Sequence, residues 1–298
     1  MKMTRILIPL ATILLLLLAG CASEKEVPAI EEAKSSKLQI VATLFPQYDF
    51  ARQIAGDKAE VLLLLPPGVE SHSYEPTPSD IIKINHSDLF LYTGKNMEAW
   101  SQKIIEGMTN VESHSVVLDV SKGIELAKTS DIEAEYEQEN EHEHEQENEH
   151  FCDPHIWTDP IFAKVMVANI KEALCELDPA NADYYKENAA KYNSELDTLD
   201  IEFKTIAQSG KRNEIIFGSR FALYYFAKQY GLNYEAAFDS CSSETEPSAK
   251  TVAKLIKKIK QEQIPVIYYA EIEEPTVAKS ISEETGAKML LFHSCHNI

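Results

Sequence analysis

Positive charge is scarce in this chain. Its 298 residues carry 28 Lys plus Arg against 48 Asp plus Glu, a formal net charge of −20, whereas a partner built of phosphates demands a basic surface. The balance excludes nucleic acid as a partner and suits a cationic ligand. Catalytic signatures are missing as well. No His-Glu-x-x-His occurs, because His142-Glu143 is followed by Gln146 and His144-Glu145 by Asn148, and neither Gly-x-Ser-x-Gly nor Gly-x-x-x-x-Gly-Lys is present. None of the five cysteines stands in Cys-x-x-Cys spacing, which weighs against a thiolate zinc site.

What the chain does have begins with an address. Lys2 and Arg5 precede an almost wholly apolar stretch from Ile6 to Leu18, and Leu18-Ala19-Gly20-Cys21 follows. A membrane-spanning helix needs about 20 apolar residues, while this stretch is shorter and ends in small residues before a cysteine. Residues 1–20 therefore read as a secretory signal with a lipoprotein cleavage box, leaving Cys21 as a lipid-modified N-terminus outside the bacterial cell membrane. Residues 21–37 are polar, without apolar periodicity, and read as a flexible tether. Loss of residues 1–20 removes two basic side chains and leaves 26 basic against 48 acidic ones.

Four cysteines then remain in a disulfide-permissive compartment. We expect Cys241 to pair with Cys295, each following a strand of the C-terminal half, a closure worth about 4 kcal/mol in the chain-entropy model. Cys152 with Cys175 is the other pairing.

The run from Asp131 to His150 holds ten acidic residues, the three histidines His142, His144 and His150, and no Lys or Arg. It cannot bury a core and should be a mobile acidic loop. Its imidazoles and carboxylates can gather divalent ions, on the compositional reading of His-rich tracts, or it is simply a solvated linker.

The rest of the chain alternates apolar strands with helices. Strands are expected at Leu38–Leu44, Ala59–Leu65, Leu89–Thr93 and Ser115–Asp119, and again at Glu214–Gly218, Asn233–Phe238, Val266–Ala270 and Met289–Phe292. Helices fall between them at Tyr48–Ala55, Ser79–Asn85, Met97–Met108, Phe221–Tyr230, Ser248–Gln261 and Pro275–Thr285. That order implies an α/β protein with two lobes, each a mainly parallel sheet flanked by helices. From Ala182 to Gln208 there is no Gly or Pro, and Tyr185, Ala189, Tyr192, Leu196, Leu199 and Phe203 recur at helical spacing. One backbone helix of about 40 Å should join a lobe at 38–181 to a lobe at 209–298.

Parallel sheets bind ligands beyond the carboxyl ends of their strands. His72 follows the second strand, His155 follows the acidic run, and His293 follows the last strand with His296 three residues on. Imidazoles converging there from separate segments would suit a tetrahedral zinc ion in the inter-lobe cleft. His86 and His114 read as ordinary surface histidines.

With these residues in view, the chain resembles the zinc and manganese substrate-binding lipoproteins of bacterial ABC importers. The resemblance rests on Leu44–Phe50, the His72-Ser-Tyr-Glu-Pro-Thr-Pro-Ser-Asp80 segment, the Asp153-Pro-His-Ile-Trp-Thr-Asp-Pro160 segment, Asp178–Tyr185 and Tyr230–Leu232. It implies a monomer that binds Zn²⁺, or Mn²⁺ as the alternative, and delivers it to a membrane permease without catalysing a reaction. The family's first and second ligands fall on His72 and His155, and its fourth on His293, with Glu271 as a further contributor. The third, normally a histidine, falls on Arg220, which has no lone pair to give. The resemblance also implies a closing helix beyond residue 298, so the second lobe should be truncated and leave an apolar face exposed. A secreted zinc hydrolase and a surface adhesion lipoprotein are the competing readings.

Overall fold

The computed structural model describes residues 37–108, 113–128, 152–238, 247–272 and 274–297. Cys21, Cys241 and the histidines of the acidic run, His142, His144 and His150, lie outside these residues, and so does the Cys241–Cys295 pairing. The Cys152–Cys175 pairing is not formed; the Cys175 thiol donates to the Ala182 carbonyl at 3.6 Å.

Four strands make the first sheet: β1 (Leu38–Ala42), β2 (Ala59–Leu63), β3 (Leu89–Tyr92) and β4 (Val116–Asp119). They lie in the order β2-β1-β3-β4 and all pairings are parallel. The second sheet repeats the plan with β5 (Glu214–Arg220), β6 (Asn233–Phe238), β7 (Val266–Tyr269) and β8 (Lys288–Leu291), ordered β6-β5-β7-β8 and again parallel. Parallel neighbours require crossovers, and these are helical. The first lobe has α1 (Phe45–Ala55), α2 (Pro78–His86), α3 (Ser101–Met108) and α4 (Pro160–Leu177). After α5 (Ala182–Ser209) come α6 (Tyr224–Tyr230), α7 (Ala249–Glu262) and α8 (Thr276–Thr285).

Local chemistry sets where several of these helices start. Thr77 caps α2, its Oγ1 accepting from Asp80 N while Asp80 Oδ2 accepts from Thr77 N, with Pro78 at the first helical position. A cap of this kind is worth about 1 kcal/mol. Asp159 does the same for α4, accepting from Ile161 N at 2.8 Å. The sequence reading did not single out α4, although Ala163, Met166, Val167, Ile170 and Leu174 form a buried stripe at helical spacing. In the second lobe α8 approaches β5 so closely that a Cβ on Gly218 would stand 2.5 Å from Ala278, a contact only glycine allows.

The 28 residues of α5 span about 42 Å at the helical rise. Tyr185, Ala189 and Leu196 of its first half join the core of the first lobe, whereas Phe203 and Ala207 pack on the aromatic cluster of Phe217, Phe221, Phe226 and Tyr230 in the second. Buried Asp200 accepts from Tyr230 Oη at 3.2 Å and so ties α5 to α6. Among the described residues, no helix is long and apolar enough to cross a membrane.

Candidate metal centre

The loops at the carboxyl ends of the strands meet between the sheets. Beyond β2 the backbone stays paired through Leu65, whose N–H donates to Thr43 O at 3.2 Å, and then turns through Pro66-Pro67-Gly68 to His72. Glu70 steadies that turn, its carboxylate accepting from the backbone N–H groups of His72 at 3.0 Å and Ser73 at 2.8 Å. His155 arrives from the segment that pairs with Lys128 through Cys152, and a single 3₁₀ turn (Ile156–Thr158) then leads into α4. Tyr225 Oη of α6 donates to Asp153 O at 2.7 Å and accepts from Ala127 N at 3.0 Å, so a residue of the second lobe clamps the segment bearing His155.

His72 Nε2 and His155 Nε2 lie 3.1 Å apart. A tetrahedral zinc ion with Zn–N bonds of about 2.0–2.1 Å holds its ligand atoms about 3.3–3.4 Å from one another, so the pair is close to the bite such an ion requires. The third imidazole is His296. One ring nitrogen of each of His72, His155 and His296 falls within 4.8 Å of the other two, and no other such cluster occurs among the described residues. The His155 and His296 rings are 4.7 Å apart and the His72 and His296 rings 6.1 Å apart, centre to centre.

His293, expected in that position, is not brought to the pair. It is exposed and lines a separate apolar groove of about 230 Å³ with Phe45, Phe50, Trp157 and Phe292. The chain reverses at Cys295, which has a left-handed φ of 59°, and carries His296 rather than His293 into the cleft. Glu271 is also elsewhere in role. Its carboxylate accepts from Ser294 N at 2.9 Å, Ser294 Oγ at 2.8 Å and Cys295 N at 3.0 Å, bracing the loop that carries His296. The same loop is pinned to the first lobe. Trp157 Nε1 donates to Ser294 O at 2.8 Å, Phe45 N to His296 O at 3.3 Å, and Asn297 Nδ2 to Pro66 O at 2.8 Å and Val69 O at 2.9 Å.

Each ring is set for donation to a metal. Fully buried His155 has Nδ1 at 2.8 Å from Asp153 Oδ1, which fixes the tautomer with Nε2 turned into the cleft. His296 Nδ1 is bonded to Ser294 Oγ. Burial, followed by the facing His155 ring, pushes His72 down to about 4; Arg220 adds to the depression while Glu70 and Asp153 oppose it. His296 is held well below the ordinary histidine range by burial and by the other two rings. Both are neutral at pH 7, so a metal ion displaces no proton from them. Replacing Asp153 by Asn leaves the size of the side chain but removes the charge that orients His155. An isothermal titration should find zinc affinity lower by about 10–100-fold, and an unchanged constant would separate Asp153 from the metal.

The profile of the family described as the zinc-uptake complex component A, periplasmic, matches residues 40–298. The chain belongs to this family. It is 39% identical over 273 residues to the high-affinity zinc uptake system protein ZnuA of Bacillus subtilis (strain 168), covering 92% of this chain and 83% of that protein. It is 32% identical over 290 residues to the zinc-binding lipoprotein AdcA of Streptococcus pneumoniae (strain ATCC BAA-255 / R6), where the match takes in 96% of this chain but only 54% of the relative. The crystal structure of the Zn(II)-bound ZnuA-like domain of Streptococcus pneumoniae AdcA superposes with a TM-score of 0.71 at 29% identity, covering 88% of this chain and 89% of that one. The fold of two parallel-sheet lobes around one long helix is the family's. Arg220, where the resemblance places a third histidine, ends β5 and lines a cavity of about 50 Å³ together with Glu70, His72, Glu271 and His296.

Proposed function

We propose that this chain is the extracytoplasmic solute-binding component of an ABC importer, capturing Zn²⁺ in the cleft and handing it to a membrane permease. The observation that carries the reading is the convergence of His72, His155 and His296 from three chain segments, with ring nitrogens within 4.8 Å of one another. Three imidazoles favour zinc over manganese, which prefers carboxylate oxygen. The protein acts as a monomer, tethered through lipid on Cys21, and the acidic run at 131–150 raises the local cation concentration.

The protein is not an enzyme, as its family is the solute-binding part of a metal importer. A hydrolase reading finds no support in the site either. Beside the three histidines stand a guanidinium and two carboxylates whose oxygens already accept backbone N–H groups, rather than a base positioned on a metal-bound water.

Titration of the purified mature protein tests the proposal. One tight zinc equivalent is expected in the full chain and in a variant lacking residues 131–150, with weaker additional equivalents only in the former. Absence of zinc uptake, or full affinity after His72→Ala combined with His155→Ala, overturns it.

A further inference from the structure

Resting on that reading of the cleft as a zinc site, we propose that Ser294 and Glu271 are positioning residues for zinc capture: a hydroxyl relay through which a carboxylate outside the coordination sphere fixes the proton of His296. The contacts form one line. His296 Nδ1 is bonded to Ser294 Oγ, and the same hydroxyl donates to Glu271 Oε1 at 2.8 Å.

Donor arithmetic gives the line a direction. A carboxylate accepts and a serine hydroxyl has a single proton to give, so once that proton goes to Glu271, Oγ can only accept from His296, and Nδ1 must carry the imidazole proton. Nε2 then keeps its lone pair for the ion. Asp153 produces the same tautomer on His155 by direct contact with Nδ1 at 2.8 Å. Hydrogen bonds in a line polarise one another, so zinc on Nε2, by drawing electrons from the ring, strengthens Nδ1–H as a donor and with it the bond from Ser294 to Glu271. The carboxylate thereby answers part of the ion's charge without touching it.

The backbone is bent to bring these groups together. Left-handed φ values stand on both sides of the contact, 79° at Ile272 directly after Glu271 and 59° at Cys295 directly after Ser294. For a β-branched isoleucine that conformation is an outlier, and it persists only where the surrounding contacts enforce it. Bracing the loop requires no more than the backbone N–H groups of Ser294 and Cys295, which Glu271 accepts at 2.9 and 3.0 Å, and Trp157 Nε1 on the Ser294 carbonyl. The buried Ser294 hydroxyl is surplus to the brace. Its partners assign it to the imidazole.

Ser294→Ala separates relay from brace, because it removes the hydroxyl and leaves the backbone bonds to Glu271 and Trp157 in place. Competition titration of the full chain with zinc should find its affinity about 10–100-fold below wild type, the cost usual for a partner that orients a ligand. Glu271→Gln should weaken zinc as well, and adding Ser294→Ala to it should cost far less than in the wild-type background, since residues acting in one line are not additive. In the metal-free protein, ¹⁵N shifts of labelled histidine, assigned through His296→Ala, should show His296 protonated at Nδ1 in the wild type and moved toward the Nε2–H form in Ser294→Ala. A residue that only braced the loop would not move that equilibrium. Wild-type affinity in Ser294→Ala, additive losses in the double variant, or His296 protonated at Nε2 in the wild type would overturn the relay while leaving zinc capture intact. A wild type that takes up no zinc would instead remove the reading on which the relay rests.

Discussion

His296→Ala lowers zinc affinity by at least about 100-fold, whereas His293→Ala changes it by no more than about twofold. The first figure follows from the 10–100-fold cost usually attached to residues that only orient a ligand, which a ligand itself must exceed. The second is the ordinary range of an exposed substitution, within about 0.5 kcal/mol. The two histidines are three residues apart and either could have served the chemistry. What separates them is the backbone at Cys295, whose φ of 59° folds Ser294 inward against Trp157 and Glu271 and turns the His296 ring over His155. His293 stays with Phe45 and Phe292 on the wall of the apolar groove. Competition titrations against a chromophoric chelator measure both variants, with circular dichroism to confirm that each is folded. The reverse pattern, loss with His293→Ala and retention with His296→Ala, would contradict the geometry of the cleft.

That pair of residues also marks the boundary between what local sequence carries and what it does not. Parallel strands that are buried on both faces are continuously apolar, so Leu89–Tyr92 and Val266–Tyr269 were readable as strands without any partner in view. The same holds for α5, where a run free of Gly and Pro with apolar residues at helical spacing became one unbroken helix from Ala182 to Ser209. His72 and His155 were legible because each sits in a short motif with its own local supports, Glu70 two residues before the first and Asp153 two before the second. His296 has its supports far away: Glu271 lies 23 residues before Ser294, and Trp157 137 residues before it. A strand end followed by two histidines does not say which one the distant partners will turn inward. Helix starts suffered in the same way. The helix expected from Met97 begins only at Ser101, because Met97 N and Glu98 N are drawn to the Gly94 carbonyl and the Glu98 side chain is drawn into the core by residues some fifty positions away.

Glu98 supplies the second large effect. It is buried at 2% exposure, where Thr93 N donates to both carboxyl oxygens at 3.2 and 3.0 Å, Gln47 Nε2 donates to Oε1 at 3.2 Å, and Thr43 Oγ1 donates to the same oxygen. Burial raises its pKa to about 7 from an ordinary 4.5; the hydrogen bonds from Thr43, Gln47 and Thr93 hold the rise back and Asp119 adds to it. A raised carboxyl pKa means that the fold prefers the protonated form. The associated stability is therefore complete below the unfolded value of 4.5 and is lost as pH rises through 7, a change of roughly 3 kcal/mol at about 1.4 kcal/mol for each pH unit between the two values.

The histidines of the cleft run the other way. With folded values below 6.5, His72 and His296 cost stability as pH falls from 6.5 toward 4, so the wild-type profile alone mixes opposed slopes. The difference between wild type and Glu98→Gln isolates the carboxyl. Glutamine keeps the acceptor facing Thr43 and Gln47 but cannot ionise, and it gives up the second acceptor to Thr93. Denaturant unfolding of the metal-free protein should find the variant less stable than wild type at pH 5, by about the 1 kcal/mol of one hydrogen bond, and more stable at pH 8, with the curves crossing between. Gln47 also accepts from the backbone N–H groups of Thr43 and Leu44, next to Phe45, whose N–H holds the His296 carbonyl. The carboxyl is thus linked to the loop that completes the metal centre through three hydrogen bonds, Gln47 to Glu98, Leu44 to Gln47 and Phe45 to His296. Parallel stability profiles for the two proteins from pH 5 to 8 would show that the buried carboxyl is not the titrating group.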